Sequence, residues 1–334
     1  MLQRLKYIFM LLLLIASLQV FGEPYSIDSV CINSTRLYRV NGEAGSTYQW
    51  LLADTIGNNI ALRAAIARGV DYAYLLNPDA TFEPRALVEA VAVAEGTTGV
   101  GSVQSLLMLG DEPDVVNSSG NHIHFLGFGY VGGYRSLRKD VPVEPYEITT
   151  SSGACVLLPV RALQAVGLLD ETLWLYHEDL DLGWRMRLAG LRNLLAPASV
   201  CRHHYEFSRS LSKWYWMERN RWIVVLKNYR LATIVLLVPA LLMADVGLLL
   251  MAAKGGWLGS KLRSLAWFLR PSAWAYLLKA HGSVARLRRV PDRVLLARFT
   301  AAIDHPDFRN PVVTKLIEPA WRILLRLLRV IVRW

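Results

Sequence analysis

Residues 176–185 read Tyr176-His177-Glu178-Asp179-Leu180-Asp181-Leu182-Gly183-Trp184-Arg185. Glu178, Asp179 and Asp181 fall immediately ahead of an apolar pattern at helical spacing, Leu182, Met186 and Ala189. A helix start leaves backbone N–H groups unpaired, and those groups together with the helix dipole hold carboxylates ionised. The stretch therefore predicts a helix whose first turn presents a general base. Upstream, Gly153-Ala154-Cys155-Val156-Leu157-Leu158 reads as a short buried strand and Gly167-Leu168-Leu169-Asp170-Glu171 as a turn. Downstream, Gly190 ends the helix, and Val200-Cys201-Arg202-His203-His204-Tyr205 brings imidazoles back towards the same end of a sheet.

Working towards the N-terminus, the chain becomes regular from Gly57. Gly57-Asn58-Asn59 leads into an Ala-rich helix from Ile60 to Arg68, stopped by Gly69, and Tyr72 to Leu76 follows as an apolar strand. Asn77-Pro78-Asp79 stands at the carboxyl end of that strand, where open α/β sheets bind ligands. Asn-Pro is also an ordinary turn pair, and Asn58 or Asn59 reads equally well as an N-cap. Pro84 to Val93 is a structural helix with Pro in its first turn. Between Gly99 and Thr150, Gly-rich segments around Phe125 to Tyr134 suggest a flexible loop over the site. His122 and His124 are candidate contacts for an acceptor or a phosphate, but a surface loop with incidental histidines is the preferred reading.

From about Gly57 to about Asn228 these residues resemble the inverting glycosyltransferases of family 2, and within it the rhamnosyltransferase-like branch. The residues that carry the resemblance are Gly153, Ala154, Arg161, Gly167, Asp170, Glu171, Glu178, Asp179, Asp181, Leu182, Arg185 and His203, several motifs agreeing in order. The resemblance implies a GT-A type α/β fold, a mostly parallel sheet flanked by helices. It implies Asp179 as the base, with Glu178 beside it shaping the acceptor pocket, and Asn59, Asn77 and Asp79 at the donor. Asp79 and His203 would hold Mg²⁺ or Mn²⁺, with His204 as the fallback ligand. Arg185 and Asp181 are one helical turn apart and pair with each other instead. The family's opening strand and its D-N-x-S-x-D donor motif have no counterpart in residues 1–56.

Composition bounds the rest. With 334 residues and 53% hydrophobic content the chain buries a sizeable core, and its mean hydropathy of +0.28 is high for a soluble enzyme. The net charge of +10 sits with Arg and Lys interleaved among Trp and Leu, which favours a lipid headgroup layer over nucleic acid. Cys31, Cys155 and Cys201 lack metal-ligand spacing and read as free thiols. Arg4 and Lys6 ahead of the apolar run Tyr7 to Leu18 make residues 1–26 a signal-like or anchor segment, or an artefact of the gene start.

Towards the C-terminus, Trp214-Tyr215-Trp216-Met217-Glu218-Arg219-Asn220-Arg221-Trp222 reads as a membrane-interface helix, with a helix packed on the sheet as the alternative. Leu231 to Ala253 is long and apolar enough to span a bilayer, although Asp245 near its middle keeps a kinked hairpin or half-buried helix in play. Lys315 to Trp334 sets Arg322, Arg326, Arg329 and Arg333 against Leu, Ile and Trp, an amphipathic surface helix.

The resulting expectation is a catalytic domain over residues 27–228, incomplete at its N-terminus, and a membrane-associated helical tail over 229–334. What the resemblance implies for it is metal-dependent inverting transfer of a sugar, rhamnose by the branch, from a nucleotide-diphosphate sugar to a hydroxyl of a lipid-linked or cell-envelope glycan. It places the catalytic domain on the cytoplasmic side of an inner or plasma membrane. Two other classes stay open: a non-catalytic membrane-associated relic of the same fold, and a metal-dependent hydrolase, which would need a tighter ligand cluster than any present.

Overall fold

The computed structural model describes residues 8–12, 36–38, 48–50, 55–204, 213–302 and 313–334. In chain order the elements are β1 (Ile8–Leu12), β2 (Arg36–Tyr38), β3 (Tyr48–Trp50), α1 (Thr55–Ala67), β4 (Tyr72–Leu76), β5 (Ala80–Phe82), α2 (Ala86–Gly96) and β6 (Val100–Leu109). Then come β7 (Val116–Ser118), β8 (Asn121–Ile123), β9 (Gly129–Val131), β10 (Tyr146–Ile148), β11 (Cys155–Pro159), α3 (Val160–Val166), α4 (Glu178–Leu188) and β12 (Arg192–His203). The helices α5 (Lys213–Asn228), α6 (Leu231–Lys254), α7 (Leu258–Trp267), α8 (Pro271–Leu287), α9 (Asp292–Arg298) and α10 (Glu318–Ile331) complete the chain.

The sheet runs β1-β4-β11-β6-β12-β10, with β5 added on β12 and β7 on β6. It is mixed, not mostly parallel: β1/β4 and β6/β12 pair parallel, whereas β11 runs antiparallel to both β4 and β6, and β10 and β5 antiparallel to β12. The cause lies between β6 and β11. Parallel neighbours need a crossover, usually a helix, but this stretch folds as the short strands β7 to β10, so β11 enters the sheet pointing the other way. Residues 8–12, inside the segment read as signal-like, form the strand beside β4, with Ile8 opposite Tyr72 and Leu12 opposite Leu76.

The apolar run predicted for Tyr72 to Leu76 is a wholly buried strand. Gly69 and Gly190, placed after α1 and α4, take φ of +67° and +81°, the left-handed region that glycine enters without steric cost. Gly183 serves differently: a Cβ there would lie 2.0 Å from Thr150 Oγ1, so the missing side chain lets α4 lie against the sheet.

The segment from Gly99 to Thr150 is not a surface loop. His124 is fully buried between Phe125, Phe128 and Trp321, and His122 lies against Tyr130 in a tilted pair with ring centroids 5.2 Å apart. The aromatic and basic helix also turns inward: in α5, Glu218, Arg219, Asn220 and Arg221 are buried, and Arg221 bonds Asp245 of α6. Nor do residues after Asn228 stand apart as a tail. One core joins Leu180 and Trp184 of α4 to Ile223 of α5, Leu237 of α6, Leu295 of α9 and Leu325 and Leu328 of α10. The amphipathic segment thus uses Leu325 and Leu328 to pack on its own domain, and Arg329 donates to Leu296 O at 2.8 Å.

Candidate active site

Strands β4, β6 and β12 run in one direction, so their carboxyl ends lie at one edge of the sheet, and β11 begins there. Asp79 follows β4, His203 closes β12, and Ala80 pairs with His203 in the β5/β12 ladder. That pairing brings Asp79 Oδ1 to 3.1 Å from His203 Nε2. The other ring nitrogen, Nδ1, meets Asn117 Oδ1 at 3.0 Å. An amide oxygen only accepts, so Nδ1 carries a proton towards Asn117, and this contact fixes the ring with Nε2 facing Asp79. Burial pushes the Asp79 carboxyl up, but the hydrogen bond and charge of His203 outweigh it and hold the group below its ordinary value. His204 stays beside the pair through its backbone, its N–H donating to Asp79 O at 2.8 Å, while its side chain turns to the surface with Nδ1 3.6 Å from Asp111.

Among the described residues no group of three or more His, Cys, Asp and Glu side chains gathers as a metal site. The Asp79–His203 pair fits one as a partial set. Two ligands about 2.1 Å from one octahedral cation at right angles stand about 3.0 Å apart, and Mg²⁺-type sites commonly take one or two protein ligands and fill the remainder with phosphate and water.

At the same edge, Asn77 N donates to Ala154 O at 2.7 Å and Gly153 N donates to Asp179 Oδ2 at 3.1 Å. Asp179 Oδ1 accepts from Leu180 N at 2.7 Å. Glu178, its neighbour in the first turn of α4, has Oε2 buried without a hydrogen-bond partner among the described residues, as does Asn58 Oδ1. Both residues line one small cavity together with Gly153, Asp179, Ser102 and Ser151. Burial raises both carboxyls, and the Asp179 charge raises Glu178 further, to about 8. Asp179 receives the backbone N–H groups of Gly153 and Leu180 as well as its own, whereas Glu178 receives only its own, so the shared proton rests on Glu178.

The third acid of the motif is a fastener. Asp181 is fully buried and receives Arg185 Nε at 2.8 Å, Lys227 Nζ at 2.9 Å and Asn228 Nδ2 at 2.9 Å. Burial opposes its charge, but Lys227 and Arg185 bring its carboxyl down to about 2. Arg185 also donates to Val166 O and Leu168 O, tying α4 to the turn after α3. Asn59, assigned to the donor from the sequence, makes its hydrogen bonds within this fastening. Its Nδ2 donates to Leu169 O at 2.8 Å and to Glu171 Oε1 at 3.0 Å, and its Oδ1 accepts from Leu169 N, so the amide is occupied in holding α1 to that turn.

Sequence reasoning missed two positioning residues. Asn117 orients His203. Asn220 of α5 donates to three carbonyls, Leu173 O at 2.8 Å, Leu175 O at 2.9 Å and Tyr176 O at 2.7 Å, while Arg219 reaches Thr172 O. The loop they hold is strained: Trp174, Tyr176 and His177 have φ of 53°, 63° and 70°. It delivers Glu178 and Asp179. The signal for Asn220 was an amide amid an otherwise aromatic and basic helix, and a polar group there is as common on a surface.

The α/β layers and a carboxylate, imidazole and helix-start arrangement at one sheet edge define a GT-A-like glycosyltransferase domain. Residues 57–224, half of the chain, match the family described as "Glycosyltransferase like family 2", and the chain belongs to that family. The N-acetylglucosaminyl-diphospho-decaprenol L-rhamnosyltransferases of two strains of Mycobacterium tuberculosis are each 35% identical over 71 residues, which is 21% of this chain and 22% of theirs. The match therefore spans about a fifth of the length of those curated relatives. Among solved structures, mannosyltransferase PcManGT from Pyrobaculum calidifontis, in complex with GDP-Man and Mn²⁺, is 14% identical with a TM-score of 0.35, over 84% of this chain and 68% of that one. GalNAc-T7 with UDP, GalNAc and Mn²⁺ is 13% identical with a TM-score of 0.40, over 52% of this chain and 34% of that one.

Proposed function

We propose that this chain transfers a sugar, with inversion, from a nucleotide-diphosphate sugar to a hydroxyl of a polyprenyl-linked or cell-envelope glycan at the cytoplasmic face of a membrane. The carrying observation is the approach of Asp79 to His203 at the sheet edge where Gly153 holds Asp179. The relatives matched above over 71 residues, whose names give a diphospho-decaprenol-linked acceptor and an L-rhamnosyl transfer, support rhamnose and a lipid-linked acceptor as the first substrates to try.

Asp79 and His203 would hold Mg²⁺ or Mn²⁺, with Asn117 fixing the His203 tautomer. When bound, the cation neutralises charge on the departing diphosphate. Asn77, at the same strand end, faces the donor side. Asp179 takes the proton from the acceptor hydroxyl as that oxygen bonds the anomeric carbon and the bond to the diphosphate breaks, the electron pair leaving with the diphosphate. Glu178, neutral at pH 7, shapes the acceptor side without adding a second charge next to the base.

The test is transfer from a panel of nucleotide-diphosphate sugars, nucleotide-activated L-rhamnose included, to a polyprenyl-diphosphate-linked N-acetylglucosamine, with the anomeric configuration of the product read by NMR. Inverted product with dependence on divalent cation is expected. A folded chain that neither binds nor turns over any donor of the panel would overturn the proposal.

A further inference from the structure

Between Arg230 and Lys254, α6 has only two polar side chains, Thr233 and Asp245, and both lie in its buried stripe. Thr233 Oγ1 donates to Asp292 Oδ2 at 2.6 Å near the start of the helix. At its middle, Asp245 accepts from Arg221, from Lys261 Nζ at 2.9 Å and from Trp222 Nε1 at 2.9 Å. Near the end, Leu248 and Ala252 pack on Trp257. The helix is thus fastened to the folded domain along its whole length. Its other face is apolar throughout: Leu231, Val235, Leu242, Met243, Val246 and Leu250 are 55% to 68% exposed. At 24 residues that face is about 36 Å long.

A helix crossing a bilayer puts its full circumference in hydrocarbon. Here that would carry Glu218, Arg221, Asp245 and Lys261, a buried group of ion pairs, into the lipid along with it, against a penalty of several kcal/mol per ion. We propose that α6 lies in the plane of the membrane, its outward apolar face sunk into one leaflet, and does not cross. This deepens the membrane association proposed above and rests on it.

Charge selects lipid as the occupant over a second copy of the chain. Arg230 and Lys254 bracket the apolar face, and the end of α10 meets its start where Trp334 Nε1 donates to Thr233 Oγ1 at 3.0 Å. On α10, Arg326 and Arg333 are exposed beside Leu327 and Val330. This cationic margin, in a chain of net charge +10, attracts anionic headgroups and repels its own image across a two-fold axis.

The experiment uses the full chain with phosphatidylcholine vesicles, with and without phosphatidylglycerol. Co-sedimentation with the anionic vesicles is expected, weakened about tenfold or more by Val246→Glu, where one exposed apolar contact becomes a charge, and near-UV circular dichroism of that variant should match the parent. Depth is then read, in a Cys31→Ser background, from a fluorophore attached through Val235→Cys, Met243→Cys or Leu250→Cys and quenched by spin-labelled lipids; Cys155 and Cys201 are buried. Equal, shallow depth at the three positions supports the in-plane arrangement. A deepest point at Met243, with Val235 and Leu250 open to aqueous quencher from opposite sides, means a spanning helix and overturns it while leaving membrane association intact. No sedimentation, with a dimer that Val246→Glu dissociates, makes the face a contact between copies and overturns both.

Discussion

Gly153 and Asp179 meet where β11 begins: the Gly153 N–H donates to Asp179 Oδ2 at 3.1 Å, from a different element and 26 positions away in the chain. A Cβ at Gly153 would stand 3.6 Å from Asp179 Cβ, an ordinary contact, so the residue's contribution is its backbone donor. Since β11 is hydrogen-bonded between β4 and β6, the sheet itself sets the position of the carboxylate.

Asp179→Asn should lower transfer by about three orders of magnitude, because an amide cannot accept the acceptor proton. It should also lower stability by about 1 kcal/mol, since its NH₂ group would face one of the two backbone donors. Glu178→Gln, by contrast, replaces a neutral acid with a neutral amide and should keep activity within about tenfold. Steady-state rates of the two variants side by side decide which carboxylate is the base; the reverse order would exchange the assignments.

Asp79→Ala and His203→Ala should each raise the Mn²⁺ concentration needed for half-maximal transfer. Asn117→Leu should do so by about 10- to 100-fold while leaving both ligands in place, the usual scale for a partner that orients a ligating histidine. A Mn²⁺ titration of activity with isothermal titration calorimetry reads all three. An unchanged requirement in His203→Ala would make that imidazole structural.

Asn220→Leu removes the side-chain donor from Leu175 O and Tyr176 O of the strained loop before α4, while Leu173 O keeps the Leu175 N–H. Unpaired buried acceptors cost about 1–3 kcal/mol each, less where the loop relaxes to water. The expected result is a lower midpoint in urea together with a fall in kcat, as the loop no longer fixes Glu178 and Asp179. Full kcat in a destabilised variant would separate the clamp from the site.

The stability of the chain should carry opposing pH terms. Burial and then the Asp179 charge raise Glu178 to about 8. A folded pKa above the unfolded one means that the native state binds the extra proton, so this contribution is complete below about 4.5 and is lost as pH rises towards about 8. Burial lowers His177 to about 4 and His124 to about 3, so each contributes above about 6.5 and loses its contribution as pH falls. Urea midpoints across pH should show Glu178→Gln flattening the alkaline limb and sparing the acid one. Parallel curves for variant and parent would place the proton elsewhere.

Asp245→Ala leaves Arg221 and Lys261 buried with only Glu218 between them. Removing one partner of a buried charge group costs about 3–5 kcal/mol. Thermal melting should show the loss, and an unchanged melting temperature would mean that water reaches the group.

Much of this protein was written locally. The apolar run Tyr72 to Leu76, the left-handed stops at Gly69 and Gly190, the helix start at Glu178 and the Asp181–Arg185 pair follow from periodicity, glycine backbone freedom and one-turn spacing, properties of a few neighbouring residues that hold wherever the segment is placed. Tertiary structure alone decided the rest, because each remaining outcome depends on which distant surface meets which. The direction of β11 came from the absence of a crossover helix before it. Asn59 found its partners in Leu169 and Glu171, about 110 positions later. Asn117 and Asn220 became positioning residues only through partners 86 and 44 to 47 positions away. Asp245, a misplaced charge when α6 is read as a strip of sequence, is paired once Arg221 and Lys261 pack against it, since a charge is tolerated out of water only where folding brings its counter-charge.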